Sequence, residues 1–352
     1  MKLVVFGLTI TTSWGNGHAT LWRGLAAALA RRGHRLEFFE RDLPYYAPHR
    51  DLLEVPGRGA LHLYPEWDDR AARASLRGAD AAIVTSYCPD GPAAAAVVAD
   101  CEGPVKIFYD MDTPVTVERA QAGLPVEYIG PRGLRDFDVV LSFTGGRALD
   151  ALRDLFGARR TATLYGSVDP NVHRPADAIA RFRGDFSYLG TWAENRQHAV
   201  EQLFLEPARR MPDRRFMLAG AQYPADFPWA ANIFYVNHLP PAEHPAFFCS
   251  SPLTLNVTRA PMAAMGHCPS GRLFEAAACG VPVLTDWWEG IEAFFRPGEE
   301  ILVARGPEDV VAAVSRSAEE LSRIGHAARE RALQEHTAVA RGDELIRIIE
   351  AA

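Results

Sequence analysis

Apolar residues along this chain fall into two recurring patterns. One is a short unbroken run of apolar and β-branched residues, as in KLVVFG at 2–7, closed by a loop rich in glycine. A strand buried on both faces reads this way. The other is helical spacing, as in ATLWRGLAAALARRGH at 19–34, whose apolar positions share one face and whose end carries Arg31, Arg32 and Gly33. RLEFFERD at 35–42 then reads as the next strand, so the chain opens with a βαβ unit.

The alternation continues through ADAAIVTSY, VKIFYDMD, DVVLSFTGG and TATLYGSVDP, and again through DFSYLGTW, RFMLAGA, IFYVNHL, LTLNVTR, VPVLTD and EILVARG, with helical patterns between. Strands alternating with helices imply parallel, doubly wound sheets. Two such series predict two Rossmann-like α/β domains facing each other across a cleft. The seam reads at YGSVDPNVHRPADAIARF, rich in Pro, Asp and Asn. This places one domain at 1–168, a linker at 169–182 and a second domain at 183–352. The last helical stretch, TAVARGDELIRIIEAA, either closes the second domain or crosses back onto the first.

Composition narrows the function classes. At 352 residues the chain exceeds one ordinary core. Its formal charge of −7 carries no long block of one sign, which argues against a nucleic-acid binder held by non-specific electrostatics. The five cysteines show no metal-ligand spacing, as expected in a reducing compartment without structural zinc. The apolar start breaks too soon for a signal peptide, and nothing approaches the roughly 20 apolar residues of a membrane span. The expectation is a cytoplasmic protein with no stable membrane insertion.

HCPSGRLFEAAACGVPVLTD, 267–286, carries the sharpest chemistry. Ser270 suits an N-cap, GRLFEAAAC a short helix and Gly280 its stop. Unpaired N–H groups and the positive end of the dipole make such a helix start a phosphate site, and Gly271 lets a ligand approach. Arg272 adds a forked, charge-assisted contact. Glu275 shares its face three residues on and suits a pair of ribose hydroxyls. Phosphate first and ribose one turn later describe a nucleotide lying along the helix. An ordinary N-capped helix with a solvated Arg–Glu pair fits the spacing too.

The same stretch resembles the donor-binding signature of glycosyltransferases of the GT-B fold, in which a glutamate grips the nucleotide ribose. YGSVDPNVHRP resembles the inter-domain segment of glycosyltransferase family 4. SWGNGHATLWRGL, FYDMDTP, FDVVLSFTGG and RLFEAAACG followed by FFRPGEE resemble the CgeB-like (spore-maturation) branch over nearly the whole chain. The resemblance implies sugar transfer from a nucleotide-sugar co-substrate to a hydroxyl of a sugar, glycan or natural-product acceptor, with no other cofactor. Family 4 enzymes usually carry a second glutamate eight positions earlier, near the donor sugar; here that position is His267.

Expelling a nucleoside diphosphate demands cations for the leaving group. Family 4 enzymes use an Arg and a Lys of the second domain, but the only lysines here are Lys2 and Lys106. Arginine must serve alone, and the resemblance points to Arg196, with Arg272 and Arg259 beside it. The missing lysines also exclude a phosphorylase, which needs a second-domain lysine for pyridoxal phosphate. In the first domain, Gly15 and Gly17 permit a tight turn at a strand end, where α/β sheets bind ligands. His18, opening the next helix, is a base toward the acceptor hydroxyl or a simpler site contact. Asp110 and Asp112 mimic a metal-binding DxD pair, but that pair belongs to another glycosyltransferase fold. The reading here is Asp112 on the acceptor side and no metal. The Trp287–Trp288 pair either stacks on a sugar or packs inside. A nucleotide-sugar 2-epimerase and a non-catalytic nucleotide-sugar-binding protein share the fold and the grip, and stay open.

Overall fold

The computed structural model describes all residues except Gly15, Asn16 and Arg58. The chain divides into two compact units, Met1–Tyr165 with Ala338–Ala352, and Gly166–Thr337. Each is built on a wholly parallel sheet with helices in the crossovers.

The first sheet has seven strands: β1 (Lys2–Gly7), β2 (Arg35–Arg41), β3 (Ala60–Tyr64), β4 (Ala81–Thr85), β5 (Val105–Asp110), β6 (Val139–Ser142) and β7 (Thr161–Thr163). Their order is β3-β2-β1-β4-β5-β6-β7, with Leu3 opposite both Leu36 and Ala81. Alternate side chains of one strand feed different cores: Leu3 and Val5 pack with Leu25, Phe38 and Ile83, while Val4 and Phe6 pack with Phe39, Val84 and Val97. That explains the unbroken apolar runs, since each strand has helices on both sides. Strand β3 escaped the sequence reading. It is a half-buried edge strand whose alternating pattern includes an exposed Leu63.

The C-terminal helix Ala338–Glu350 belongs to this unit. It lays Gly342 against Leu25, Ala28 and Leu29 of helix His18–Arg31, buries Leu345 and Ile349, and pairs Asp343 with Arg32 at 2.6 Å.

The second sheet runs β10-β9-β8-β11-β12-β13, from β8 (Phe186–Leu189), β9 (Phe216–Gly220), β10 (Ile233–Asn237), β11 (Thr254–Asn256), β12 (Val283–Asp286) and β13 (Leu302–Ala304). Stretch 169–182 is part of this unit. In both sheets the first strand lies between strands reached by opposite crossovers, β1 between β2 and β4, β8 between β9 and β11. Ligands of doubly wound sheets settle at the carboxyl ends of such strands.

Backbone strain gathers at those ends. The described non-glycine residues with positive φ are Tyr87 (+60°) after β4, Gln222 (+67°) after β9, His238 (+47°) after β10, and His267 (+47°) ahead of helix Gly271–Ala278. Such residues cost of order 1–3 kcal/mol each and persist where the surroundings over-determine them.

The end of β9 is also clamped to the end of β8. Gly190 donates to the Ala219 carbonyl at 2.9 Å and accepts from the Tyr223 hydroxyl at 2.8 Å. A Cβ on Gly220 would lie 2.0 Å from the Gly190 oxygen. Gly220→Ala is therefore expected to destabilise the second unit by about 2–4 kcal/mol. Gly17→Ala, at φ −95° with nothing within 4 Å of the added carbon, should be near neutral. Urea unfolding of the two variants beside wild type checks the contrast.

Candidate functional site

Helix Gly271–Ala278 begins at Ser270, whose hydroxyl accepts from the Arg272 N–H at 3.4 Å. It ends before Gly280, which takes φ +77° and donates to the Ala277 carbonyl at 2.8 Å. Its rear packs on the helix Ala318–Glu335, where Arg329 donates to the Ala278 carbonyl at 3.2 Å. A Cβ on Gly271 would meet nothing within 4 Å, so the start of the helix is open.

Two guanidinium groups carry unused hydrogen-bonding capacity here. Arg196, in helix Glu194–Val200 beyond β8, donates through Nη1 to the Tyr188 hydroxyl at 3.4 Å and the Thr191 carbonyl at 3.3 Å. Its Nε is buried without a hydrogen-bond partner, and so is Nε of Arg272. Both cations lie close enough to Tyr223 to favour its phenolate, although burial dominates and pushes the Tyr223 hydroxyl up. Buried polar groups without partners are uncommon, and a charged one costs more than a neutral one. Each is a donor of the kind that an anionic oxygen satisfies.

Glu275 sits one turn into the helix at 8% exposure. Its Oε2 lies 3.9 Å from His173 Nε2 and 3.8 Å from His244 Nδ1. Burial opposes ionisation, yet the two imidazoles and Arg272 outweigh it and hold the carboxyl down at about 2. His173 shifts below the usual imidazole value, chiefly because it is buried, while the charge of Glu275 acts in the opposite direction. Neither ring nitrogen of His173 has a hydrogen-bond partner.

Asp286, at the end of β12, accepts from the Thr258 N–H at 2.8 Å and ties β12 to the loop after β11. Burial pushes its carboxyl up.

The other second-unit residues named from sequence stand nearby in the chain. Arg259 precedes helix Ala260–Met265 as its N-cap. His267 donates its N–H to the Glu289 carbonyl at 2.6 Å, and its ring lies on Gly290, where a Cβ would come within 2.3 Å of Nδ1. The tryptophan pair divides. Trp288 is fully buried against Phe294, whereas Trp287 is 45% exposed beneath the Arg305 guanidinium, 4.9 Å away.

In the first unit, His18 starts helix His18–Arg31 and meets the Tyr87 ring edge-on at 5.7 Å. The Tyr87 hydroxyl donates to Asp112 Oδ2 at 3.2 Å. Asp112 is the N-cap of helix Thr113–Gln121, but its side chain does not cap it. Its N–H donates to Asp110 Oδ1 at 3.1 Å, and burial pushes the Asp110 carboxyl up to about 6. His18, Tyr87 and Asp112 thus form one group beyond β1, β4 and β5. Gly17 is open and unstrained, and Gly15 lies outside the described residues.

Sequence reasoning passed over His173, His244, Tyr87 and Asp286 as site residues. His173 stood in a stretch read as linker and His244 in an unremarkable PPAEHPAFF. The expected absence of a metal meets one observation. Among the described residues, ligand atoms of His173, His244 and Glu275 lie within 4.8 Å of one another, close enough to consider a cation.

Residues 196–347 match a family model described as glycosyl transferase-like. No curated protein matches the chain in sequence. Solved structures do match in fold. Sucrose-phosphate synthase from Thermosynechococcus elongatus superposes with a TM-score of 0.72 at 14% identity, over 99% of this chain and 98% of that one. Anabaena HepE in complex with UDP-glucose gives 0.69 at 12%, over 100% of each chain. The catalytic domain of starch synthase IV from Arabidopsis thaliana, bound to ADP and acarbose, gives 0.67 at 12%, over 99% of this chain and 98% of that one. No helix among the described residues is long and apolar enough to cross a membrane.

Glu275 generates a stability prediction. Its folded value near 2 lies below the ordinary 4.5, so its ionised form stabilises the fold fully above about pH 4.5 and loses that contribution as pH falls toward 2. Glu275→Gln should cost about 1–3 kcal/mol at pH 7, and the deficit should shrink between pH 4.5 and 3. Urea unfolding across that range reads it; a deficit independent of pH would show that the carboxyl is not held low.

With these observations the chain has the GT-B fold, two parallel-sheet α/β units that carry seven and six strands among the described residues, and its segment 196–347 is glycosyl transferase-like.

Proposed function

We propose that this protein transfers a sugar from a nucleoside-diphosphate sugar to a hydroxyl acceptor without a metal ion, and that it belongs to the CgeB-like branch. The observation that carries the donor half is the convergence, in one unit, of an open helix start, two buried guanidinium Nε donors without partners, and a buried ionised carboxylate one turn further on. The helix start and Arg272 take the diphosphate, Arg196 and Arg259 add charge as it leaves, and Glu275 accepts from the ribose hydroxyls. His267, in place of the glutamate of family 4, faces the donor sugar.

The acceptor falls to the first unit. His18 is the candidate base, and the Tyr87–Asp112 pair orders the loop that meets the substrate. Two proteins of similar fold, HepE in complex with UDP-glucose and starch synthase IV bound to ADP and acarbose, support a nucleotide donor of this kind while differing in base.

Thermal shifts against UDP, GDP, dTDP and ADP, each with and without EDTA, test the donor half. One nucleotide at a hundred times its dissociation constant should stabilise wild type by about 2.7 kcal/mol, unaffected by EDTA. Glu275→Ala and Arg272→Ala should abolish the shift, and Gly271→Ala should weaken it while folding normally. No shift with any nucleotide would sink the reading, and one abolished by EDTA would remove the metal-free half. Turnover of the matching nucleotide sugar to an epimer without an acceptor would favour the 2-epimerase. Binding with no turnover under any condition would favour a binding protein.

A further inference from the structure

The surroundings of Glu275 make a demand that its own helix does not meet. His244 is buried at the start of helix His244–Cys249, and its Nε2 lies 3.2 Å from the Leu239 carbonyl. A carbonyl only accepts, so Nε2 carries a proton. Nδ1 of the same ring faces Glu275 Oε2 at 3.8 Å, and a carboxylate oxygen also only accepts. At that distance Nδ1 makes no hydrogen bond, so the ring is anchored through Nε2 and its unpartnered nitrogen is turned toward the carboxylate. On the other side, His173 is delivered by a turn in which its N–H donates to the Asp169 carbonyl at 2.9 Å. It is 2% exposed, and its Nε2 is aimed at the same Oε2 at 3.9 Å.

We propose that His173 and His244 are positioning residues that hold the Glu275 carboxylate at Oε2, so that Oε1 is presented to the 2′- and 3′-hydroxyls of the donor ribose. This rests on the donor reading above. It adds that ribose recognition is built by three side chains from separate segments, 169–173, 244 and 275. A free carboxylate on a short helix would swing; one clamped on a single oxygen keeps its other lone pairs in one direction, which selects a diol over a 2′-deoxyribose. The same three ligand atoms form a donor set that zinc accepts. A divalent cation there would add to the charge of Arg272, already beside the only carboxylate of the group, and would draw Glu275 away from the ribose.

The test is titration calorimetry with UDP, GDP and ADP, each beside its 2′-deoxy counterpart, on metal-analysed protein. The tightest-binding pair sets the ribo-to-deoxy ratio of wild type. His173→Ala and His244→Ala should each lower that ratio about tenfold by weakening the ribonucleotide alone. His173→Gln, with an amide donor in the place of Nε2, and His244→Asn, with one in the place of Nδ1, should restore part of it. A merely structural role would weaken both nucleotides alike. Three results overturn the proposal. The histidine variants may keep the wild-type ratio while Glu275→Ala loses it, which leaves the donor reading standing. Stoichiometric metal may survive EDTA in wild type and vanish in the variants, which makes the cluster a metal centre. If wild type binds none of the nucleotides, or Glu275→Ala leaves the ratio unchanged, the donor reading fails and this one with it.

Discussion

An ionised carboxylate in a nearly dry environment must be compensated on the spot, and Glu275 is such a group. Removing an ion from water costs several kcal/mol even after relaxation, and opposite charge repays it only at close range. Here the compensation comes from three directions: His173 from the segment following the unit boundary, His244 from the start of another helix, and Arg272 from its own first turn. The second unit has to bring those segments together before the site exists. Stretch 169–182, which carries His173, belongs to that unit.

Sheet topology determines where this can happen. In a parallel sheet every strand points the same way, so one edge collects the loops that leave the strands, and the helices that follow start there with unpaired N–H groups. Both units place their polar groups on that edge. In the second unit these are Arg196 after β8, Thr258 after β11 and Asp286 at the end of β12; in the first they are His18, Tyr87 and Asp112. The positive-φ residues Tyr87, Gln222, His238 and His267 lie at or near the same edges, where close packing such as that of Gly220 on Gly190 leaves the loops little freedom.

The parts of this arrangement legible in the sequence are those with a local cause. Twelve of the thirteen strands among the described residues announce themselves; the central ones do so because burial on both faces forces contiguous apolar residues, while β7 and β10 are edge strands that are only part-buried. The one missed, β3, is an edge strand with a mixed pattern. Ser270, Arg272 and Glu275 were readable because helix capping and i, i+3 spacing act within a few residues. His173 and His244 were not. Their role comes from meeting Glu275 across about 100 and 30 positions of chain, and no local periodicity encodes such a meeting. Trp287 and Trp288 show the same limit, since adjacent identical residues met opposite environments, one in the core and one exposed.

The near absence of lysine acquires a physical meaning in this setting. Lysine loses its proton readily when buried, whereas the guanidinium of arginine keeps its charge and offers a fixed fork of donors. Arg196 and Arg272 each have Nε buried. A lysine at either place would carry its charge at the mercy of desolvation. With arginine at both, the positive side of the site is constant with pH. The two carboxyls nearby are shifted in opposite directions: Glu275 is held low by its cationic neighbours, and Asp286 is raised by burial. The pH dependence of this part of the second unit therefore resides in carboxyls that burial and neighbouring charge displace in opposite directions, beside guanidinium groups whose charge is fixed.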